Sequence, residues 1–276
     1  MVPFLKMHGL GNDFVVFDAR KQAVALSAGA VRAIADRHRG IGCDQLIVIE
    51  RGTDGFDARM RSINADGGEV ESCGNAARCV ARLLMEELGK AQIALDTEGG
   101  PLACVDAGSG RVTVDMGRPS FAWQKIPLAR EMDTRSFALE VGDARYTVSA
   151  ASVGNPHCVL FVEDASSAPV EILGPRIETH PMFPKRTNVE FVQLRDREHL
   201  RLRVWERGAG LTQACGTGAC AAAAIAHRLG RVERRVEVEL DGGSLDIILR
   251  DGDEHILMTG PAAFSFRGEI DLEASP

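Results

Sequence analysis

Two short stretches of the sequence each place a cysteine and a glycine immediately before a run of helix-forming residues. They are residues 71–79 (ESCGNAARC) and residues 212–220 (TQACGTGAC). A thiol at the first turn of a helix meets unpaired backbone N–H groups and the positive end of the helix dipole, which favour thiolate over thiol. We therefore predict that Cys73 and Cys215 are reactive thiols. The alternative for either residue is a buried cysteine that acts as a small hydrophobic side chain.

Two such thiols on opposite sides of one carbon atom predict a two-base isomerase. A thiolate on one side removes a proton and a thiol on the other side delivers one, which inverts the stereocentre. The backbone N–H groups around Gly74, Asn75, Gly216 and Thr217 are expected to bind an α-carboxylate and to stabilise the charge that develops on it in a site closed to water. Glycine lets the backbone approach the substrate closely.

The two cysteine stretches belong to an internal repeat with a step of 142 residues, give or take one. The same step aligns other polar residues: Asn12 with Asn155, Gln45 with Asn188, and Asn64 with Glu206. A solenoid would have a period of about 20 to 50 residues, so this repeat predicts two copies of one domain. We expect residues 1–117 to form the first domain, joined by a returning strand in residues 263–276, and residues 118–262 to form the second.

Each half of the sequence is rich in strand patterns and contains one alanine-rich helix. The predicted fold class is α+β, with two pseudo-twofold-related domains, each a curved and mostly antiparallel sheet around a central helix. In that arrangement the two Cys-Gly helix starts face each other across one cleft. The patterns also predict a helix capped by Ser27, a strand at 121–123 that opens the second sheet, and a loop with at most a short helix at 175–186.

The composition is that of an ordinary soluble globular protein. Hydrophobic residues make up 45%, charged residues 26%, and the formal net charge is -7, which argues against general binding of nucleic acid or anionic membranes. No apolar run approaches the ~18 residues of a membrane span, and residues 1–6 lack the apolar core of a signal peptide. The seven cysteines show no disulfide framework. We therefore expect a cytoplasmic protein that does not bind membranes.

Several motifs, in order along the chain, carry a resemblance to a known family. They are residues 7–14 (MHGLGNDF), 64–67 (NADG), 72–75 (SCGN), 154–157 (GNPH), 187–188 (TN), 206–208 (ERG) and 214–218 (ACGTG). Over essentially its full length the chain resembles the diaminopimelate epimerases. The resemblance implies an epimerase without a cofactor or a metal ion that interconverts LL- and meso-diaminopimelate, on the route to lysine and peptidoglycan. It also implies a homodimer.

The resemblance also implies roles for individual residues. Cys73 and Cys215 are the acid and base, and the backbone at Gly74, Asn75, Gly216 and Thr217 binds the reacting carboxylate. The residues implied for the distal amino-acid head, with Gln45 placed beside them by the repeat, are Asn12, Asn64, Asn155, Asn188, Glu206 and Arg207. A planar guanidinium suits a carboxylate and a carboxylate suits an ammonium, so these residue types fit a substrate with two zwitterionic ends.

Several alternatives stay open at this point. Each asparagine beside Gly or Pro can be a simple turn former, and His157, which aligns with Phe14 in the repeat, is either a turn residue or a neighbour of the site. The chain could be a racemase of the related proline type, although Asn75 follows the first Cys-Gly where those relatives usually have histidine. Zinc binding lacks Cys-x2-Cys spacing, and a pyridoxal enzyme lacks a recognisable lysine motif. A non-catalytic amino-acid-binding protein is the remaining possibility.

Overall fold

A computed structural model describes residues 1–70 and 74–272 of the chain. Within it the chain forms two compact units, one made of Met1–Val114 and Thr259–Pro276 and the other of Asp115–Met258. The sequence-based boundaries lie at 117/118 and 262/263. Cys73, the predicted catalytic residue of the first repeat, and the end of the predicted returning segment, residues 273–276, lie outside the described residues.

The elements alternate between short strands and a few helices. The helices are α1 (Ala28–Ala35), α2 (Gly74–Leu88), α3 (Val170–Glu178) and α4 (Gly216–Arg228). The strands are β1 (Val2–Gly9), β2 (Asn12–Asp18), β3 (Gln45–Arg51), β4 (Ala58–Asn64), β5 (Glu69–Val70), β6 (Gln92–Asp96), β7 (Leu102–Gly108), β8 (Arg111–Asp115), β9 (Phe137–Val141), β10 (Ala144–Ser152), β11 (Pro156–Phe161), β12 (Asn188–Leu194), β13 (His199–Glu206), β14 (Gly210–Thr212), β15 (Arg235–Leu240), β16 (Gly243–Leu249), β17 (Ile256–Pro261) and β18 (Ala263–Ile270).

In the first unit, β1 pairs antiparallel with both β2 and β18. Strand β2 pairs parallel with β3, β3 antiparallel with β4, β4 parallel with β6, and β6 antiparallel with β7. Helix α2 packs against β1, β4, β6 and β7. Its buried residues include Ala76, Ala77 and Ala81, whose small side chains let the helix sit close to the strands.

The second unit repeats this pairing order. Strand β10 pairs antiparallel with β9 and β11, β11 parallel with β12, β12 antiparallel with β13, β13 parallel with β15, and β15 antiparallel with β16. Helix α4 packs against β10, β11, β12, β13, β15 and β16. Strand β9 therefore occupies the place in the second unit that β18 occupies in the first. The predicted α+β class, with a mostly antiparallel sheet around one helix in each half, is confirmed.

One local expectation was wrong. Residues 121–123 form irregular chain and the beginning of a turn, and the strand that pairs with β10 is β9. The Phe121 ring instead packs under the Arg228 guanidinium, 4.3 Å from the ring centroid. The loop expected at 175–186 begins with the last turn of α3, which runs from Val170 to Glu178 with Pro175 inside it. Its buried apolar residues, among them Leu173 and Ile177, pack into the core of the second unit, and this packing outweighs local preference.

The glycine that lets α3 pack against β13 gives a test of this fold. A Cβ added at Gly174 would lie 2.5 Å from both Cβ and Cγ of Trp205, so we expect Gly174→Ala to destabilise the protein by about 1–3 kcal/mol. Gly29→Ala is the matched control because Gly29 is also helical, and its added Cβ would lie 3.7 Å from Ser27 Oγ. The control should stabilise the protein by up to about 1 kcal/mol. Urea denaturation measures both effects, and equal midpoints for Gly174→Ala and the wild-type protein would contradict the packing.

Candidate active site

Cys215 is the N-cap residue of α4, as the sequence predicts. Its backbone is extended, with φ -116° and ψ 109°, and the helix begins at Gly216. The Sγ atom accepts a hydrogen bond from the Gly218 N–H at 3.3 Å and lies 3.5 Å from Thr217 Oγ1. Cys215 is buried, with 4% of its surface exposed. The sulfur therefore sits directly at the first turn of α4.

Opposing effects act on the protonation of Cys215. Burial raises the pKa of the Cys215 thiol well above its usual value, and the negative charges of Glu206 and Glu190 raise it further. The hydrogen bonds from Thr217 and the Gly218 N–H lower this pKa by less. Removing the sulfur from water disfavours its charged form more than the helix start favours it. The surroundings of Cys215 therefore favour the thiol over the thiolate, a point on which the sequence made no prediction.

A continuous polar network leads from the start of α4 into the sheet. Asn155 Nδ2 donates to Thr217 Oγ1 at 3.2 Å, and Asn155 Oδ1 lies 2.8 Å from His157 Nε2. On the other side of the ring, His157 Nδ1 lies 2.7 Å from Glu190 Oε1. The side chains of His157 and Glu190 are both fully buried. The question left open for His157 is thus answered: it connects Glu190 with the residues that surround Cys215.

The first unit contains a matching arrangement at the start of α2. Asn75 Nδ2 donates to Asn12 Oδ1 at 3.1 Å, and Asn12 Nδ2 donates to Asp44 Oδ2 at 2.9 Å. Gln45 and Asn64 face each other across β3 and β4, where Gln45 Nε2 donates to Asn64 Oδ1 at 2.8 Å. The structure therefore brings four of the predicted substrate-binding residues into two hydrogen-bonded pairs.

The same hydrogen bond joins strand and helix in both units. In each, an asparagine at or immediately before the start of a strand contacts the polar residue two positions after the predicted catalytic cysteine. The pairs are Asn12 with Asn75 and Asn155 with Thr217, at 3.1 and 3.2 Å. Each bond fixes the first turn of its helix relative to the sheet, so the backbone N–H groups of that turn have a defined direction.

Two of the residues predicted for the distal head lie at the end of β13, where Glu206 is the last strand residue and Arg207 follows it. Asn188 Oδ1 accepts from the Arg207 backbone N–H at 2.9 Å, and its Nδ2 donates to the Pro156 carbonyl at 2.9 Å. The Glu206 carboxylate accepts a hydrogen bond from Thr212 Oγ1. The Arg207 guanidinium donates to the Lys185 carbonyl at 3.4 Å. Asn188 thus positions the loop that carries Glu206 and Arg207.

Sequence reasoning missed Glu178, which supports the same loop from the end of α3. Its carboxylate accepts from Trp205 Nε1 at 2.7 Å and from the Gly208 N–H at 2.9 Å, and it forms an ion pair with Arg186 at 2.7 Å. Glu178 is 4% exposed. The sequence pattern placed Glu178 in a loop and did not predict that α3 extends to it. A residue expected in a loop gives no reason to predict a buried carboxylate.

Two further features concern possible cofactors and membranes. Within residues 1–70 and 74–272, no group of three or more His, Cys, Asp or Glu side chains is placed to hold a metal ion. In the same part of the chain, no helix is long and apolar enough to span a membrane.

Comparison with known proteins identifies the family. A family model described as diaminopimelate epimerase matches residues 4–122 and 149–265. The chain belongs to the diaminopimelate epimerase family. The family and the isomerase class predicted from the sequence are confirmed. A diaminopimelate epimerase of Acidiphilium cryptum is 51% identical over 98% of this chain and 96% of its own length, and one of Erythrobacter litoralis is 52% identical over 98% and 97%.

Solved structures of other epimerases and racemases share the fold of this family member. A hydroxyproline epimerase from Agrobacterium vitis has a TM-score of 0.71 at 17% identity, covering 97% of this chain and 91% of that one. A probable proline racemase from Agrobacterium radiobacter K84 has a TM-score of 0.73 at 16% identity, covering 99% and 93%. At this level of identity the likeness shows the fold alone.

The raised pKa of Cys215 predicts how this thiol reacts with an alkylating reagent. The thiolate is the reactive form, so alkylation of Cys215 by iodoacetamide in the folded protein should keep increasing with pH and show no plateau below about pH 9. The same protein unfolded in urea is the control, and its half-maximal rate should fall near the ordinary cysteine value of about 8.5. Peptide mass spectrometry follows Cys215 separately. A plateau at pH 7 in the folded protein would contradict burial as the dominant effect.

Proposed function

We propose that this chain interconverts LL- and meso-diaminopimelate through a two-base reaction of Cys73 and Cys215, without a cofactor. The observation that carries the proposal is the placement of Cys215 at the N-cap of α4, beside unpaired N–H groups that suit a carboxylate. The repeat gives Cys73 the equivalent position immediately before α2. The curated relatives at about half identity over nearly the whole chain bear the name of this activity.

The protons balance if one thiol and one thiolate share the substrate carbon. The thiolate removes the α-proton and becomes a thiol, and the electron pair left on carbon delocalises into the adjacent carboxylate. The opposite thiol then donates its proton to the other face of the carbon and becomes the thiolate. Burial raises the pKa of the Cys215 thiol, which favours the protonated form that donates in this scheme.

Backbone N–H groups supply the stabilisation that this proton transfer requires. The α-proton of an amino acid is weakly acidic, so charge developing on the carboxylate must meet donors already in place. In this proposal Gly74 and Asn75 donate from the start of α2, and Gly216 and Thr217 donate from the start of α4. Both helix starts are buried, which strengthens each electrostatic interaction with the carboxylate.

The remaining predicted residues hold the distal amino-acid head. Arg207 is proposed to bind the distal carboxylate and Glu206 the distal ammonium, on the loop that Asn188 and Glu178 support. Asn12, Gln45, Asn64 and Asn155 complete the proposed binding set. Their hydrogen-bonded pairs within each unit are consistent with a site whose polar groups are fixed before the substrate binds.

A homodimer and a cytoplasmic location stay predictions from the resemblance. One surface of the first unit supports the homodimer. Phe264 and Phe266 of β18 are 50% and 48% exposed, although they are large apolar side chains. Large apolar side chains exposed close together commonly mark protein interfaces.

Replacing either proposed catalytic thiol tests the two-base mechanism. We expect Cys73→Ser and Cys215→Ser each to lower epimerisation of diaminopimelate by at least about 1000-fold, because a serine hydroxyl is too weak an acid to serve as either partner. Cys79→Ala and Cys220→Ala are matched controls at buried cysteines of α2 and α4, where only packing is lost. Stereochemistry and uptake of solvent deuterium at the α-carbon measure the reaction.

The same assay separates this activity from the proline-type alternative. Wild-type protein should epimerise diaminopimelate and leave proline and hydroxyproline unchanged. If Cys220→Ala lost activity at unchanged stability while Cys215→Ser stayed active, the proposal would have assigned the chemistry to the wrong cysteine. A wild-type protein that turns over proline and not diaminopimelate would overturn the proposed substrate.

Arg207→Lys tests recognition of the distal head. Lysine keeps the positive charge and loses the bidentate geometry, so we expect kcat/KM for diaminopimelate to fall by about 10- to 100-fold. Arg203→Lys is the matched control, on the strand that leads to Arg207 but paired with Asp241. Its kinetics should match those of the wild-type protein. Unchanged kinetics in Arg207→Lys would refute the role of the guanidinium.

A further inference from the structure

The buried pair of His157 and Glu190 has no ionic counterpart in the first unit. Strand β11 pairs with β12 in the same parallel register as β2 with β3, so that Val159 opposite Glu190 corresponds to Val16 opposite Ile47. Ile47 is fully buried, as Glu190 is. The same sheet position therefore accepts an apolar side chain, and packing alone does not require a carboxylate there.

Two positions that neighbour Glu190 also carry different residues in the two units. The residue equivalent to His157 in the first unit is Phe14, which is fully buried. The residue equivalent to Gly218 is Ala76. A Cβ added at Gly218 would lie 3.0 Å from Glu190 Oε1 and 3.2 Å from Cys215 Sγ. The glycine thus makes room for a carboxylate beside the sulfur, in one unit and not in the other.

An ion pair at this depth is costly to the fold. Removing a carboxylate and an imidazolium from water costs several kcal/mol each, and an apolar pair of similar volume is often as stable or more stable. Burial accordingly raises the pKa of Glu190, while the charge and hydrogen bond of His157 act in the opposite direction. The costly pair of His157 and Glu190 replaces apolar residues only in the unit that contains Cys215. This points to a role for the pair in the reaction.

The hydrogen bonds fix where the protons of this pair lie. Asn155 Nδ2 is directed to Thr217, so Asn155 Oδ1 faces His157 and can only accept. His157 Nε2 must therefore donate. The contact between His157 Nδ1 and Glu190 Oε1 then contains one further proton, and the pair is neutral as a whole. The other titratable groups near Glu190 are the buried thiols of Cys158 and Cys215.

We propose that Glu190 is a positioning residue of the epimerase: it keeps His157 Nε2 protonated, and thereby holds Asn155 and Thr217 in one arrangement around Cys215. This inference rests on the proposed function for its catalytic consequence. Without the carboxylate, a neutral ring can place its single proton on either nitrogen. When the proton moves to Nδ1, Nε2 and Asn155 Oδ1 are two acceptors facing each other, and the amide turns away from Thr217.

Glu190→Gln tests this role with little change in shape. We expect kcat for diaminopimelate to fall at least about tenfold, since a misplacement of about 1 Å can cost about 100-fold. KM should change less, because Arg207 and its loop are untouched, and the urea midpoint should be close to that of the wild-type protein. Glu237→Gln, at an exposed carboxylate on β15, is the matched control and should have wild-type kinetics.

A spectroscopic readout separates positioning from a structural role. In protein labelled with 15N-histidine, with His157 assigned by loss of its signals in His157→Phe, the wild-type ring should report a proton on Nε2. In Glu190→Gln the ring signals should report two tautomers. Wild-type kcat in Glu190→Gln, or a lower urea midpoint with unchanged kcat and an unchanged His157 spectrum, would overturn the proposal.

A triple variant transfers the apolar arrangement of the first unit to the second. His157→Phe, Glu190→Ile and Gly218→Ala together should give a protein at least as stable as the wild type but inactive; if it does not fold, Glu190→Gln decides alone.

The proposed function and the role of Glu190 can fail separately. A wild-type protein without activity on diaminopimelate overturns the proposed function, whereas the His157 spectrum tests Glu190 in either case.

Discussion

The structure depends on the burial of a thiol at the start of a helix. The N–H groups of the first turn of α4 have no partners within the helix, so they attract negative charge, whether on sulfur or on a carboxylate. Burial acts in the opposite direction and favours the protonated form of Cys215. Under the proposed mechanism, this balance keeps a proton on Cys215 for donation and leaves the N–H groups of the first turn to the substrate carboxylate. Solvent exposure of Cys215 would remove that balance.

The first turn can serve this purpose because strands hold it in place. Asn12 and Asn155, each at or immediately before the start of a strand, bond to the first turn of α2 and α4 in the same way. The alanine-rich faces of these helices lie close to the sheet and leave little freedom for rotation. In each unit, the position of a strand thus fixes the direction of the backbone N–H groups at a helix start. Because the scaffold is duplicated, it supplies two such helix starts with the same local structure.

The duplicated positions also show where the halves have diverged. Polar residues recur where they orient a helix start or a loop, while His157 and Glu190 replace apolar residues of the first unit. On the distal side, Glu178 accepts hydrogen bonds from Trp205 and Gly208, on either side of Arg207, and forms an ion pair with Arg186. Both carboxylates are buried and partnered, as a buried charge must be. Each of these carboxylates contacts residues that neighbour or belong to the predicted substrate-binding set.

The sequence by itself determined the features that depend on local pattern: the two Cys-Gly helix starts, the repeat, the α+β class and the family. Ser27 as a helix cap is of the same kind, since its Oγ accepts from the N–H three residues ahead. Tertiary structure alone decided the place of β9, the helix α3, the contacts of Glu178 and Glu190, and the protonation of Cys215. These depend on which distant residues exclude water from a given atom, and burial of this kind has no signature within a short stretch of chain.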